Sequence, residues 1–171
     1  MKKALIVLDF RNFNDEEFFN LKNFLEKKGI EIKIASFKKG WAIGMGGNEV
    51  KIDFSISEVN EKDFDLLIVC SPSSLKSFDN ENLYSLIKKF FQKKKLLIAF
   101  SLAPAIFAKT GILKGKRATV WSSSFDKKGI EVLKEKGAII SKEKIVCDGN
   151  IITLQDSSFL SDLDFFWKDM L

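Results

Sequence analysis

The chain has 171 residues, of which 46% are hydrophobic and 30% are charged, and its formal net charge at pH 7 is +5. This length allows a single sizeable core, and we interpret residues 1–171 as one domain. No apolar run reaches the roughly 18 residues of a membrane span, and the apolar run near the N-terminus ends at Asp9, unlike that of a signal peptide.

The positive charge is spread along the chain rather than gathered in one patch. The densest group, Lys93 to Lys95 with Lys88 and Lys89, closes a predicted amphipathic helix, where lysines complement the helix dipole. No aromatic residues are interleaved with the lysines in the manner of a nucleic-acid site. The charge pattern therefore predicts neither a nucleic-acid nor a membrane partner.

Apolar strand patterns and amphipathic helix patterns alternate along the chain. In order, they predict a strand at 5–8, a helix at 15–28, a strand at 30–34, a hairpin or glycine-rich excursion at 41–50, a strand at 65–70, a helix at 84–91, a strand at 96–100, a helix at 102–109, a strand at 118–121, a helix at 127–136, strands at 144–147 and 151–154 joined by a turn, and a helix from about residue 159. Continuous apolar strands between amphipathic helices indicate a parallel sheet covered on both faces, hence a three-layer α/β sandwich.

The two cysteines, Cys70 and Cys147, lie in or beside strand-like runs and lack the spacing of metal ligands. We expect both thiols to be free, as in a reducing cytoplasm, and we expect neither a metal nor a cofactor. We interpret Cys70 as a small buried apolar residue, with a substitute nucleophile as the alternative.

The most informative segment runs from Leu96 to Ala108, where an apolar strand passes into an apolar helix through one polar residue, Ser101. Several families of α/β enzymes place a nucleophile at such a strand-to-helix elbow, facing the unpaired N–H groups of the helix. A serine there needs a general base, and the chain contains no histidine. The segment therefore predicts an active-site position without its usual activating partner.

Six segments, in order, resemble the ThiJ/PfpI superfamily over nearly the whole chain. They are 12–17 (NFNDEE), 28–30 (KGI), 64–69 (FDLLIV), 98–104 (IAFSLAP), 111–119 (GILKGKRAT) and 146–153 (VCDGNIIT). They correspond to the family's Gly-Phe-Glu-x-x-Glu turn, the end of its first helix, a Tyr-Asp-apolar strand, the elbow Ile-Ala-x-Cys-x-Gly/Ala-Pro, and two downstream motifs. The resemblance implies a flavodoxin-like α/β/α sandwich with a mostly parallel sheet, a homodimer, and kinship with PfpI-type proteases, deglycase-like and glyoxalase-like enzymes and class I glutamine amidotransferases.

The chain departs from this pattern at the positions of the family's catalytic residues. Ser101 stands where the family has its nucleophilic cysteine, and Trp121 where many members have a histidine. Glu17 matches the acidic partner, which is usually protonated in the family and so implies a pKa raised by burial. Serines replace the two glycines of a Pro-Gly-Gly turn that builds the oxyanion hole. The binding residues implied by the resemblance are Ser73, Ser74, Leu102 and Trp121.

Each candidate also has a purely structural interpretation. Ser101 could cap the following helix by accepting a backbone N–H bond. Glu17 could act only as a first-turn carboxylate that interacts with the helix dipole. Trp121 could fill the former pocket instead of stacking on a ligand.

Three functional hypotheses follow. The leading one is a member with a degenerate active site, which does no catalysis and binds a small molecule or a protein partner in the former active-site cleft. The alternative is an active hydrolase, deglycase or glyoxalase-like enzyme that uses Ser101 with Glu17. The third is a structural or oligomerising protein whose cleft is filled. We also expect a homodimer because the chain contains 17 phenylalanines, enough to leave an apolar face for a symmetric contact.

Overall fold

In the computed structural model, which describes residues 1–171, a central seven-stranded sheet carries helices on both faces. Helices α1 to α5 comprise Asp15–Lys27, Glu81–Gln92, Ala103–Lys109, Lys128–Glu135 and Leu163–Met170. Strands β1 to β12 comprise Lys3–Val7, Arg11–Phe13, Glu31–Ser36, Gly40–Gly44, Glu49–Ile52, Phe54–Ser55, Leu66–Val69, Leu96–Phe100, Arg117–Ala118, Ile139–Ile140, Ile145–Asp148 and Ile151–Leu154. Four short 3-10 helices lie at Ile56–Glu58, Glu61–Asp63, Lys76–Phe78 and Ser157–Asp162.

The strand order of the central sheet is β11-β12-β8-β7-β1-β3-β6, and every pair is parallel except β11 with β12. Its five central strands follow the flavodoxin order, because β1 lies between β3 and β7 and is followed outward by β8 and β12. This order confirms the predicted fold. The order reverses between β1 and β7, and sheets of this kind bind ligands at the carboxyl ends of the strands that flank such a point.

Alternate residues of each central strand face two separate hydrophobic cores. In β1, Leu5 and Val7 face the core covered by α2, α3 and α4, whereas Ala4 and Ile6 face the core covered by α1 and α5. A smaller sheet of β2, β4 and β5 also packs on the α1 side. No helix of the fold combines the length and the apolar character that a membrane span requires.

Three predicted elements differ from the structure. The strand predicted at 118–121 ends at Ala118, the last residue of β9. It does not continue because the Thr119 N–H donates to the Thr153 hydroxyl and the Trp121 N–H donates to the carbonyl of Ser101. The helix predicted at 84–91 begins earlier, at Glu81, since the Asn80 side chain caps its first turn. The predicted C-terminal helix begins as a 3-10 turn and becomes α5 only from Leu163.

Candidate functional site

Ser101 forms the elbow between β8 and α3, as the sequence predicts. Its φ of +59° lies in the left-handed region, which costs a residue other than glycine roughly 1–3 kcal/mol. Two backbone bonds hold this conformation: the Ser101 N–H donates to the carbonyl of Leu154 at 2.9 Å, and its carbonyl accepts from the N–H of Trp121 at 2.9 Å. The elbow is therefore fixed by the end of β12 on one side and by the segment after β9 on the other.

The Ser101 side chain does not cap the helix. The N-cap of α3 is Leu102, and no side chain bonds to the first N–H groups of this helix. Ser101 itself is half-buried, and its hydroxyl has no protein partner within hydrogen-bond distance. The interpretation of Ser101 as an N-cap is therefore wrong, and its hydroxyl is left free.

Glu17 lies in the first turn of α1 with 2% of its surface exposed. Its carboxylate accepts two hydrogen bonds from Ser71, one from the backbone N–H at 2.7 Å and one from the hydroxyl at 2.5 Å. No hydrogen bond joins Glu17 to Ser101. Burial raises the pKa of Glu17, as predicted, and the bonds from Ser71 oppose this rise only in part.

Cys70 lies directly before Ser71, at the end of β7, and is 4% exposed. Burial raises the pKa of this thiol well above its usual range, and the negative charges of Glu17 and Asp9 raise it further. A thiol in such surroundings stays protonated at neutral pH and is a poor nucleophile. The structure thus favours the interpretation of Cys70 as a small buried apolar residue.

Asp9 is a second buried carboxylate of the site, and no motif or spacing in the sequence singles it out. It follows β1 and is 4% exposed. Its Oδ2 atom accepts the backbone N–H of Ser73 at 2.6 Å and lies 3.3 Å from the hydroxyl oxygen of Ser77. Burial raises the pKa of Asp9 against the opposing effect of these bonds. The Ser73 N–H therefore already donates to a buried carboxylate and is not free to bind a ligand.

A cleft of about 350 Å³ opens beside the elbow. It is lined by Ser73, Ser74, Leu75, Lys76, Leu102, Asp126 and Lys128. The cleft thus brings together three of the four predicted binding residues. Its position, after β7 and β8, is the carboxyl edge of the sheet next to the point where the strand order reverses.

Trp121, the fourth predicted binding residue, is half-buried and belongs to neither hydrophobic core. Next to it, α4 approaches the elbow closely through Gly129. A Cβ atom on Gly129 would lie 2.8 Å from Val120 Cγ2 and 3.4 Å from Leu102 Cδ2, so only glycine allows this approach. The close packing places the start of α4 against Leu102 and forms one wall of the cleft.

The structure contains no group of three or more acidic or cysteine side chains that could hold a metal ion. Both cysteines are free thiols. The chemical groups that the cleft offers to a ligand are hydroxyls, ammonium groups and one carboxylate.

The sequence profile of the DJ-1/PfpI family matches residues 2–165. The chain belongs to the DJ-1/PfpI family. An uncharacterized protein from Methanocaldococcus jannaschii is 35% identical over 92% of this chain and 76% of its own length. Deglycase PfpI from Pyrococcus furiosus is 29% identical over 87% of each chain. The crystal structure of a ThiJ/PfpI domain protein from Brachyspira murdochii has a TM-score of 0.86 at 27% identity, and the match covers 94% of this chain and 90% of that one.

These DJ-1/PfpI relatives include both an enzyme, named as a deglycase, and a protein named only as uncharacterized. Family membership assigns the fold, and one fold can carry different functions. The chemistry of this DJ-1/PfpI chain must therefore be argued from its own side chains.

Proposed function

We propose that this DJ-1/PfpI protein does no catalysis at Ser101 and binds a small molecule in the adjacent cleft. The observation that carries the proposal is the pairing of Glu17 with Ser71. Both carboxylate oxygens accept hydrogen bonds from Ser71, at 2.7 and 2.5 Å, so the base that the sequence assigns to Ser101 is committed to a different residue. A serine hydroxyl is too weakly acidic to act as a nucleophile without a base in contact with it.

A second feature supports the loss of catalysis. Catalysis of acyl transfer requires free N–H donors aimed at the developing oxyanion. In the turn that replaces the family's Pro-Gly-Gly, the Ser73 N–H is bonded to Asp9 at 2.6 Å and the Ser74 N–H faces the Ser77 hydroxyl at 3.4 Å. A substrate oxygen would have to compete with a buried carboxylate for the first of these donors.

The cleft itself supports a binding function. Its volume of about 350 Å³ is at the lower end of the range of small-molecule sites. It combines apolar side chains, Leu75 and Leu102, with hydroxyl and charged groups. This combination supports binding over the hypothesis of a filled cleft.

The alternative is a hydrolase, deglycase or glyoxalase-like enzyme that uses Ser101 with Glu17. One observation favours it: Ser101 keeps the strained φ of +59° and an unpartnered hydroxyl, as an exposed nucleophile would. The alternative requires Glu17 to exchange its Ser71 bonds for a bond to Ser101. Enzyme turnover that is lost in Ser101→Ala would distinguish it from the proposal.

Binding is tested by nuclear magnetic resonance with a library of small fragments. We expect fragments to shift the amide signals of residues that line the cleft, such as Ser74 and Leu102. Ser74→Trp, which places a large side chain in the cleft, should abolish these shifts. The matched variant Ser85→Trp, on the exposed surface of α2, should leave them unchanged. Shifts that persist in Ser74→Trp would place the binding elsewhere and contradict the proposal.

We further propose that the protein is a cytoplasmic homodimer. Its two free thiols suit a reducing compartment. Phe19, Trp41 and Met45 leave apolar surface exposed on elements that pack on one side of the central sheet, which supports a symmetric contact there.

A further inference from the structure

We infer that the ligand of the cleft beside the elbow is a small anion, held by Lys76 and Lys128. The inference rests on the proposed function, because it specifies the ligand of the same cleft. Two observations support it: the lining of the cleft has more positive than negative side chains, and hydrogen bonds and close packing hold the backbone on both sides of the cleft.

The two lysines come from different walls of the cleft. Lys76 begins the 3-10 helix that follows β7, and Lys128 begins α4. Both side chains line the cleft. A ligand between the walls would therefore meet an ammonium group from each side, an arrangement that a single surface lysine does not provide.

Neither lysine is neutralised by a carboxylate. Both are exposed, and neither takes part in any ion pair of the structure, whereas lysines elsewhere, such as Lys39 and Lys116, do. The one carboxylate that lines the cleft, Asp126, accepts the backbone N–H of Lys128 through Oδ1 at 3.0 Å. Among the side chains that line the cleft, two ammonium groups stand against one carboxylate, so the lining carries a net positive charge that attracts anions over about 10 Å at moderate ionic strength.

The walls that carry the lysines are rigidly held. Around Lys76, the Ser77 hydroxyl donates to the carbonyl of Ser74 at 2.8 Å, and the Ser77 N–H donates to the Ser74 hydroxyl at 3.1 Å. Asp9 anchors the same turn to the end of β1. On the other wall, the absence of a side chain at Gly129 lets the start of α4 pack closely against Val120 and Leu102. Binding therefore does not have to order the backbone that carries the two lysines, which lowers the entropy cost of binding.

The remaining lining defines the class of the anion. Leu75 and Leu102 add apolar surface, and the cleft volume of about 350 Å³ limits the ligand to a small molecule. A dicarboxylate with a short aliphatic chain fits this combination, because it offers one carboxylate to each ammonium group. The free oxygen of Asp126 would repel a carboxylate close to it, so both carboxylates of the ligand should lie toward the two lysines and away from Asp126.

The inference is tested by titrating the protein with malonate, succinate and glutarate, each against its neutral diamide of nearly the same shape. Nuclear magnetic resonance follows the amide signals of the cleft and gives the dissociation constants. We expect at least one dicarboxylate to bind saturably with shifts at Ser74 and Leu102, about tenfold more tightly than its diamide, and with an affinity that falls as salt is added.

The variants Lys76→Gln and Lys128→Gln should each weaken this binding, and together should weaken it about tenfold or more. Lys88→Gln removes an exposed lysine on α2 that likewise has no ion pair, and it should have no effect. Diamides that bind in the cleft as tightly as the dicarboxylates, or binding that is unchanged in the double variant, would overturn the inference and leave the proposed function intact. If neither these probes nor the fragment library shifts the cleft signals of the folded protein, both fail.

Discussion

Replacement of Glu17 tests the contribution of its buried carboxylate, and of the two hydrogen bonds from Ser71, to stability. In Glu17→Ala, the backbone N–H and the hydroxyl of Ser71 lose the acceptor that they contact at 2.7 and 2.5 Å. Leaving such donors unpaired costs about 1–3 kcal/mol, and the empty volume adds to this cost. We expect a total loss of about 2–4 kcal/mol in the free energy of unfolding, which corresponds to a Tm lower by roughly 4–16 °C for a chain of this size.

Glu17→Gln separates the charge from the hydrogen bonds. The glutamine fills the same volume, accepts the Ser71 N–H and can donate to the Ser71 hydroxyl. Because burial raises the pKa of Glu17, the folded protein keeps a proton on this group at pH values where the unfolded chain has lost it. The stability of the wild type should therefore fall as pH rises from the unfolded pKa through the folded pKa, and the glutamine variant should lack this component.

Urea unfolding followed by circular dichroism, at several pH values from about 4.5 to about 8, measures both effects. Relative to the wild type, Glu17→Gln should become steadily more stable as pH rises, while the pH dependence that Asp9 contributes cancels because both proteins contain it. A difference between wild type and Glu17→Gln that stays constant, or that shifts in favour of the wild type with rising pH, would refute the assigned direction of the pKa shift. A glutamine variant as unstable as Glu17→Ala would show that the Ser71 bonds require a carboxylate.

Three further predictions concern the turn, the elbow and the assembly. The bond to Asp9 should protect the Ser73 amide from hydrogen exchange, so Asp9→Ala should speed this exchange and destabilise the protein by about 1–2 kcal/mol. Asp9→Asn keeps an acceptor oxygen and should retain most of the protection. Equal exchange in both variants would contradict the role of Asp9. In Ser101→Cys, mild peroxide should oxidise the introduced thiol to sulfinic acid, which mass spectrometry detects, while buried Cys70 stays unmodified. An introduced thiol that does not react would mean that the elbow does not present its side chain to solvent. Light scattering at micromolar concentration should give the mass of a dimer, and a monomer of 19.4 kDa would exclude the homodimer.

The parts of the site that follow from local sequence could be predicted. Ser101 is recognisable because one polar residue interrupts a continuous apolar strand and helix, and Glu17 because it matches the acidic position of the family's Gly-Phe-Glu-x-x-Glu turn. The alternation of buried strands and amphipathic helices likewise predicts the layers, and the family resemblance implies the strand order. These features depend on residues that are near one another in the chain.

The partners of these residues could not be predicted, because they are distant in sequence. Ser71 is 54 positions from Glu17, and Ser73 is 64 positions from Asp9. No periodicity or motif indicates which serine a buried carboxylate will contact once the strands align. The strand predicted at 118–121 was overextended for a similar reason, since the N–H of Thr119 bonds to a side chain 34 positions away.

Turnover by the wild type and Ser101→Ala, measured side by side on glyoxalase, deglycase, ester and peptide substrates, tests the proposed loss of catalysis most directly. The pairing of Glu17 with Ser71 leaves Ser101 without a base, so we expect the two proteins to show the same background rate on every substrate. A rate for the wild type at least about tenfold above that of Ser101→Ala, corresponding to roughly 1.4 kcal/mol of transition-state stabilisation, would show that Ser101 is a catalytic residue and would contradict the proposal.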